Sequence, residues 1–394
     1  MTKLRIGISQ LFFLLCTISL YAQSNQVISG IIIDQQSKQP LPYANIQILD
    51  TFKGTTSNIE GEFEILLDSS SQSLEFSYIG FETKIVKADF FKESIFIELS
   101  PKPIAGQVIT VYAYNWVERF ILKAIENKKY FRKKLLYYKA LAYSKTSFNS
   151  VDSNKLFAMI EALSNIYYQA PDTYKETVIN LQMPPYMKNI PYQALAINQN
   201  VDINNERIKV QKFSIISPLN NTALEYYDYK LTEQFFSGTD TVVKISVIPK
   251  RSNRALVSGS LFFKKHTYQI IKADLKGNNS VHDGIADSLI LFLKYRSDSV
   301  FSLPSFTKIK LQMNFMGIPY NYIQENSFIE HSINDPQNKQ IINLDQLVNI
   351  EPNLNYDIGL ERKKVFGIPL SKDEKEYKET VNRVFVKAPL YKHG

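Results

Sequence analysis

Val27-Ile-Ser-Gly-Ile-Ile-Ile-Asp34, Gln39-Pro-Leu-Pro-Tyr-Ala-Asn-Ile-Gln-Ile48 and Gly54-Thr-Thr-Ser-Asn-Ile-Glu-Gly-Glu-Phe63 decide the fold at the start of this chain. Each run is rich in β-branched or aromatic residues and closes on Asp, Asn, Pro or Gly, the signature of short strands joined by turns. Ile31 and Ile33 alternate in the first run, and Ala44, Ile46 and Ile48 line one face of the second. Phe63 and Ile65 follow a turn at Asn58–Gly61; Leu74, Phe76 and Tyr78 come next, and Gly80 breaks the row. Phe81–Val86 and Ser94–Leu99 complete the set, with Gln107–Tyr112 as one more candidate. Short strands at this spacing predict an antiparallel sandwich. Gly54, Gly61 and Gly80 read as backbone positions that need positive φ or a close approach.

Upstream, Met1–Ala22 carries Lys3 and Arg5, then an apolar run from Ile6 to Leu20 and an exit at Tyr21-Ala22-Gln23. That is the three-part layout of a cleavable signal peptide, too short to favour a permanent membrane span. Export follows from it. The one cysteine, Cys16, lies inside this segment, so the mature chain is expected to have no internal disulfide and no thiol chemistry. Leu14 and Leu15 stand where a lipidation site wants small residues. Charge is divided: residues 24–101 hold 5 Lys and Arg against 11 Asp and Glu, whereas residues 102–394 hold 39 against 27. The contrast places a boundary near residue 101 and hints at an acidic surface facing a basic one.

Downstream, Asn115 is a candidate N-cap for a helix over Trp116–Lys133, whose apolar stripe is Phe120, Ile121, Ala124 and Ile125. Residues 135–182 read as three strands, followed by a Pro- and Asn-rich passage to about Asn205. Over 224–330 the alternation is clear: Tyr227, Tyr229, Leu231; Val243, Ile245, Val247; Leu261, Phe263; Ile271, Ala273, Leu275; Leu289, Leu291, Leu293, Tyr295; Ile309, Leu311, Met313, Phe315. Long rows with short connections predict an antiparallel meander, twisted into a half-barrel-like curve. Asn334–Asn355 reads as loosely held, and Ser371-Lys-Asp-Glu374 as a capping box opening a charged helix to about Arg383. The expected organisation is a signal peptide (1–22), a β-sandwich (24–101), a helix with a large antiparallel sheet (107–333), and a linker with a charged C-terminal helix (334–394). The fold class is mainly β.

Ser29-Gly30 with Asp34, Pro40-Leu-Pro-Tyr-Ala-Asn45, Gly54-Thr-Thr56, Asn58-Ile-Glu-Gly-Glu-Phe63 and Phe76-Ser-Tyr-Ile-Gly-Phe81 together resemble the carboxypeptidase-regulatory-like domain, a transthyretin-like sandwich. Despite its name, that resemblance implies an accessory module without catalytic residues. The rest resembles a family of uncharacterised bacterial outer-membrane proteins that begin with this domain. Its carrying residues are Arg119, Ala124-Ile-Glu-Asn127, Ile216-Ser-Pro-Leu-Asn220, Tyr226-Tyr-Asp-Tyr229, Ile248-Pro-Lys250, Ser258-Gly259, and Ile368-Pro-Leu-Ser371 with Glu374 and Tyr377. Longer members continue into a transmembrane β-barrel; here the sequence stops at Gly394, so membrane insertion is not carried over. More distantly, the middle β region resembles the curved sheets of periplasmic lipoprotein carriers.

Chemistry is sparse. His266, His282, His331 and His393 show no metal-ligand spacing. His282-Asp283 sits in Asn278-Asn-Ser-Val-His-Asp-Gly284, which reads as a turn rather than half of an acid–base pair. Ser258-Gly-Ser260 lacks the spacing of a nucleophile elbow. Asn58-Ile-Glu-Gly61 lacks the alternating oxygens of a calcium loop, and a hairpin turn explains it better. Neither cofactor nor metal is expected. Paired carboxylates brought together by folding stay open, because glycosidase acids lie far apart in a chain; Asp34, Asp228 and Glu233 carry nothing to single them out.

Two surface readings remain. Lys128, Lys129, Arg132, Lys133 and Lys134, with Lys250, Arg251, Arg254, Lys264 and Lys265, form either a surface for anionic partners or the solvated ends of a helix and hairpins. The 24 Tyr and 25 Phe line either an apolar ligand site on a concave sheet or a core against the Trp116–Lys133 helix. The expectation is a non-catalytic exported protein of the periplasm or the periplasmic face of the outer membrane. It would be an adaptor for an envelope protein or an amphiphile, not for nucleic acid. The alternative is an envelope glycan or peptide hydrolase.

Overall fold

The computed structural model describes residues 26–102, 116–187, 201–338 and 348–383, apart from 50, 52–53, 68–71, 88–93, 172, 211–212, 238–239, 283–285, 298–299, 316, 351–358 and 360–365. The candidate signal peptide, Asn115 and the candidate strand at 107–112 lie outside the described residues.

Alternation in the first runs produces two small sheets. One has β1 (Gln26–Asp34) between β4 (Glu62–Leu67) and β7 (Ser94–Leu99). The other has β2 (Asn45–Ile48), β3 (Gly54–Thr56), β5 (Ser73–Ser77) and β6 (Lys84–Lys87) in the order β3-β2-β5-β6. Ile28, Ile32, Ile46, Ile48, Phe63, Leu74, Phe76 and Leu99 close the core between them. The sandwich is not wholly antiparallel: β1 pairs with β7 in parallel. Nor is Asn58–Gly61 a hairpin, since β3 and β4 belong to different sheets; the turn carries the chain round a corner between them. Gly61 takes φ +77°, and a Cβ there would stand 2.5 Å from the Ile32 carbonyl oxygen, so the corner needs glycine.

The large sheet is made of β8 (Tyr137–Ser150), β9 (Leu156–Gln169), β10 (Thr173–Gln182), β13 (Tyr227–Ser237), β14 (Asp240–Pro249), β15 (Val257–Lys264), β16 (Ile270–Gly277), β17 (Ala286–Ser297), β18 (Ser302–Phe315), β19 (Ile318–Ile333) and β20 (Val348–Ile350). Their order is β13-β14-β15-β16-β17-β18-β19-β8-β9-β10-β20. Every pairing is antiparallel except β10 with β20, which recruits a piece of the segment read as loosely held. Register shifts in β13, β17, β18 and β19 mark bulges, which increase twist and help curve so wide a sheet without closing it.

Period two gives the sheet an apolar inner face and a mixed outer one. Val243, Ile245, Leu261, Phe263, Leu289, Leu291, Ile309 and Leu311 make up the inner face. On it lies α1 (Trp116–Lys134), burying Phe120, Ile121, Ala124 and Ile125, with the Phe120 ring edge-on to Phe263 at 5.5 Å. A hairpin of β11 (Arg207–Val210) and β12 (Phe213–Ile216), not anticipated from the sequence, adds Ile208, Val210 and Ile215 to the same core. Asn279–His282 form the short helix α2, and Asp283 lies outside the described residues. The aromatic rows are therefore core. Among the described residues, the inner face is filled by the chain's own helix and hairpin.

The outer face takes the sandwich and the C-terminal segment. There, Glu64 N–H donates to the Gly367 carbonyl at 2.8 Å, and the Phe366 ring lies against Tyr143, 5.6 Å between centroids. Helix α3 (Lys372–Val381) follows, opened by the capping box read in the sequence: Glu374 N–H donates to Ser371 Oγ, and Ser371 N–H donates to Glu374 Oε2 at 2.8 Å.

Candidate functional site

On the outer face, the pairing register sets Lys308 of β18 opposite Glu325 of β19, Glu325 opposite Lys145 of β8, and Lys145 opposite Glu161 of β9. Opposite charges directly across strands attract, so the row is a ladder of alternating sign. Glu325 lies 2.9 Å from Lys308 and 2.9 Å from Lys145. Helix α3 completes it, with Glu374 at 2.7 Å from Lys145 and Lys378 on Glu161. The sandwich enters through one residue. Tyr43 donates its hydroxyl to Glu325 at 2.7 Å, accepts from Lys308 at 2.5 Å, and takes Lys294 on its carbonyl. Its ring sits 5.0 Å from Phe306 and 5.5 Å from Phe292.

Burial alone would push the Glu325 carboxyl up; Lys145 and Lys308 override it and hold the group well below the usual carboxylate range. Burial likewise opposes charge on Lys145, but Glu325 and Glu374 outweigh it and hold the ammonium above its ordinary value. The Tyr43 phenol is driven upward by burial and then by Glu325. Beside the ladder lies a cleft of about 580 Å³ lined by Asn58, Glu60, Lys308, Lys310 and Asp373 among others. Two carboxylates, Glu325 and Glu374, thus share one lysine at its wall. Both are committed: one to two lysines and a phenol, the other to Lys145 and its own helix cap. Glu60 differs, its carboxyl raised by burial.

The lysines and arginine singled out in the sequence divide sharply. Lys128 is buried, its ammonium 2.6 Å from Glu206 and 2.6 Å from the Leu219 carbonyl, and burial lowers its pKa. Arg132 reaches Asp202 at 2.6 Å, Asn205 at 2.8 Å and the Tyr168 hydroxyl at 3.0 Å. Burial works against its charge, and Asp202 outweighs it. These two pin α1 to the loops beside it. Lys129, Lys133 and Lys134 are exposed, Lys134 over the Tyr130 ring at 4.2 Å. Lys250, with Arg251 next to it, holds Asp228 at 3.3 Å and the Leu224 carbonyl at 2.7 Å at the end of β14.

An open groove of about 880 Å³ gathers Lys128, Lys129, Arg132 and Lys133 with Arg207 and Lys209 of β11, above an apolar strip of Leu136, Ala170 and Pro171. Lys134, Lys250 and Arg251 do not line it. Sequence reasoning missed Arg207 and Lys209, although Arg207-Ile-Lys-Val210 alternates as a strand with one charged side. Among the described residues no helix is long and apolar enough to cross a membrane, which says nothing about strands.

The profile of a family of unknown function, DUF5686, matches residues 120–328, more than half of the chain. That of the CarboxypepD_reg-like domain matches residues 28–111. The TonB-dependent receptor P3 of Formosa agariphila is 34% identical over 112 residues, 28% of this chain and 11% of the receptor, so the match spans about a tenth of that relative. Solved structures with similarity include a LolA superfamily protein from Nitrosomonas europaea (10% identity, 58% of this chain and 97% of that one, TM-score 0.23). A DUF1329 family protein from Desulfovibrio piger gives 9% identity, 56% and 94% coverage, and TM-score 0.26. The MucA/MucB complex of Pseudomonas aeruginosa gives 10%, 56% and 99%, and 0.17.

Proposed function

The chain belongs to DUF5686, a family of unknown function, and from that premise we propose that it is an exported envelope protein that acts by binding rather than by catalysis. In this reading it is an adaptor in the periplasm or on the periplasmic face of the outer membrane. The carrying observation is the filled inner face: α1 and the β11–β12 hairpin occupy the concavity in which a curved-sheet carrier would hold an acyl chain. A partner is then met on exterior surfaces, and the groove of Lys129, Lys133, Arg207 and Lys209 over Leu136 and Pro171 suits one that is anionic with an apolar border. Phosphate- or carboxylate-bearing amphiphiles and acidic envelope proteins have that chemistry.

Fractionation tests this reading. The mature chain should co-purify with envelope fractions, and phosphatidylcholine vesicles carrying an anionic lipid should retain it in low salt. Lys129→Gln with Lys133→Gln should weaken vesicle binding roughly thirtyfold, from about 1 kcal/mol per cation near an anionic surface. Recovery as a lone soluble species, with neither partner nor lipid, would sink the proposal.

One observation favours the hydrolase reading. In the junction cleft Glu60 is raised while Glu325 is lowered, and carboxyls pushed apart in this way divide into acid and base. Against it, both lysines and the phenol hold Glu325 in place. Turnover of an envelope glycan or peptide by the mature chain, lost in Glu60→Gln, would decide for the enzyme.

A further inference from the structure

A second cavity on the outer face, about 200 Å³, lies between the sandwich and the sheet. Asn45, Gln47, Ser77 and Tyr78 border it from the sandwich; Lys272 of β16, Lys294 and Arg296 of β17 and Ser305 of β18 border it from the sheet. Among the described residues that line it, none is acidic. In the ladder on this face the register alternates charge. Here it does the reverse: Lys272 and Lys294 are directly opposite each other in the β16–β17 pairing. Like charges in that position repel and destabilise a sheet.

Three details tell against a chance arrangement. The Lys272 ammonium is held between the rings of Phe262 and Phe292, 4.8 and 4.9 Å from their centroids, with Asp274 at 2.9 Å. Lys294 spends one of its three donors on the Tyr43 carbonyl. Ser305 is the extra residue of a bulge, skipped where the pairing passes from Lys294–Phe306 to Tyr295–Pro304. A bulge of this kind re-aims a side chain, and here it brings a hydroxyl to the cavity.

We infer that this cavity binds one phosphate-sized oxyanion, held by Lys272, Lys294 and Arg296 with Ser77 and Ser305 as neutral donors. A tetrahedral anion accepts from several directions at once, which suits donors arriving from two sheets and a bulge. Burial and then Lys272 push the Lys294 ammonium down to about 7, and a bound anion would reverse that shift. Because its donors come from both the sandwich and the large sheet, the anion would also brace the joint between them. The site is separate from the α1 groove and does not depend on what that groove binds.

The mature chain is titrated with inorganic phosphate against chloride at matched ionic strength, read by calorimetry and thermal unfolding. A parallel arm uses phosphatidylcholine vesicles with and without phosphatidic acid. Wild type should show saturable binding and a rise in Tm with phosphate. Lys294→Met should weaken binding about tenfold or more, the loss of a charge-assisted hydrogen bond. The same variant removes one of two facing like charges but also the hydrogen bond to the Tyr43 carbonyl, so its binding is compared with wild type under conditions where both are folded; Lys294→Arg should keep the response. If Lys294→Met does not fold, Ser305→Ala should still weaken phosphate binding. A vesicle response that Lys294→Met weakens and Lys129→Gln with Lys133→Gln leaves in place identifies the anion as a lipid headgroup, and a response to inorganic phosphate alone identifies a free ion. No saturable response in either arm, or unchanged affinity in the folded variants, overturns the inference.

Discussion

At the scale of the residue, Lys145 decides the most. It stands between Glu325 and Glu374 on three converging elements, β8, β19 and α3. Removing one member of a buried ionic cluster strands its partners, so Lys145→Met should cost about 3 kcal/mol or more in urea unfolding. Swapping the whole cluster for well-packed apolar residues need not cost anything, which makes the ladder a device for docking in one orientation rather than a large source of stability. Its pH dependence has a definite sign. Glu325 is lowered from an ordinary 4.5 in the folded chain, so its contribution is complete above that value and fades as the pH falls well below it. The stability gap between wild type and Glu325→Gln should be constant from neutral pH down to that value and then close on acidification. None of this pairing could be read from sequence, since Lys145, Glu161, Lys308, Glu325 and Glu374 come from distant stretches that carry no common motif.

At the scale of the element, α1 is the deciding piece. Its stripe of Phe120, Ile121, Ala124 and Ile125 was legible because helical spacing of apolar residues needs no knowledge of the partner surface. The long strands were legible for the same reason at period two. Phe120→Ala should cost roughly 3–5 kcal/mol, since the ring meets Phe263 and Tyr268 and leaves a void in a filled face. Amide exchange in β15 should accelerate with it; unchanged protection there would show that α1 does not plug the sheet. The β11–β12 hairpin was not found, because its two four-residue strands follow a Pro- and Asn-rich passage that reads as loop. Parallel β1–β7 was also missed: a short strand's own pattern does not state the direction of its neighbour.

At the scale of the whole molecule, the sandwich and the large sheet are joined by Tyr43 on one side and by the segment from Phe366 to Leu370 on the other. Gly367 permits the second contact: it takes φ +60°, and a Cβ there would overlap the Glu64 carbonyl. Gly367→Ala should therefore loosen the sandwich from the sheet. In calorimetry the single cooperative transition expected of wild type should separate into two, and one unchanged transition would show that the joint does not depend on this segment. The uneven charge along the chain hinted at acid meeting base across the boundary. The structure has such a pair in Lys375 of α3, 3.9 Å from Glu62 of β4, while the lysines of the sheet meet the sandwich through the hydroxyl and carbonyl of Tyr43.

The amino-acid order alone determined the local periods, the capping box, the turn glycines and the character of each half, because those depend on neighbours a few positions away. Tertiary structure alone decided which cations are spent and which are offered. Lys128 and Arg132 look like Lys129 and Lys133 in the sequence, yet one residue's rotation about the helix axis brings the first pair onto Glu206 and the buried Asp202 and leaves the second pair in water. The same holds for Lys272 and Lys294, twenty-two positions apart and set face to face only by strand register. Charge acts through space and falls off with distance, and distance across a sheet is set by the fold.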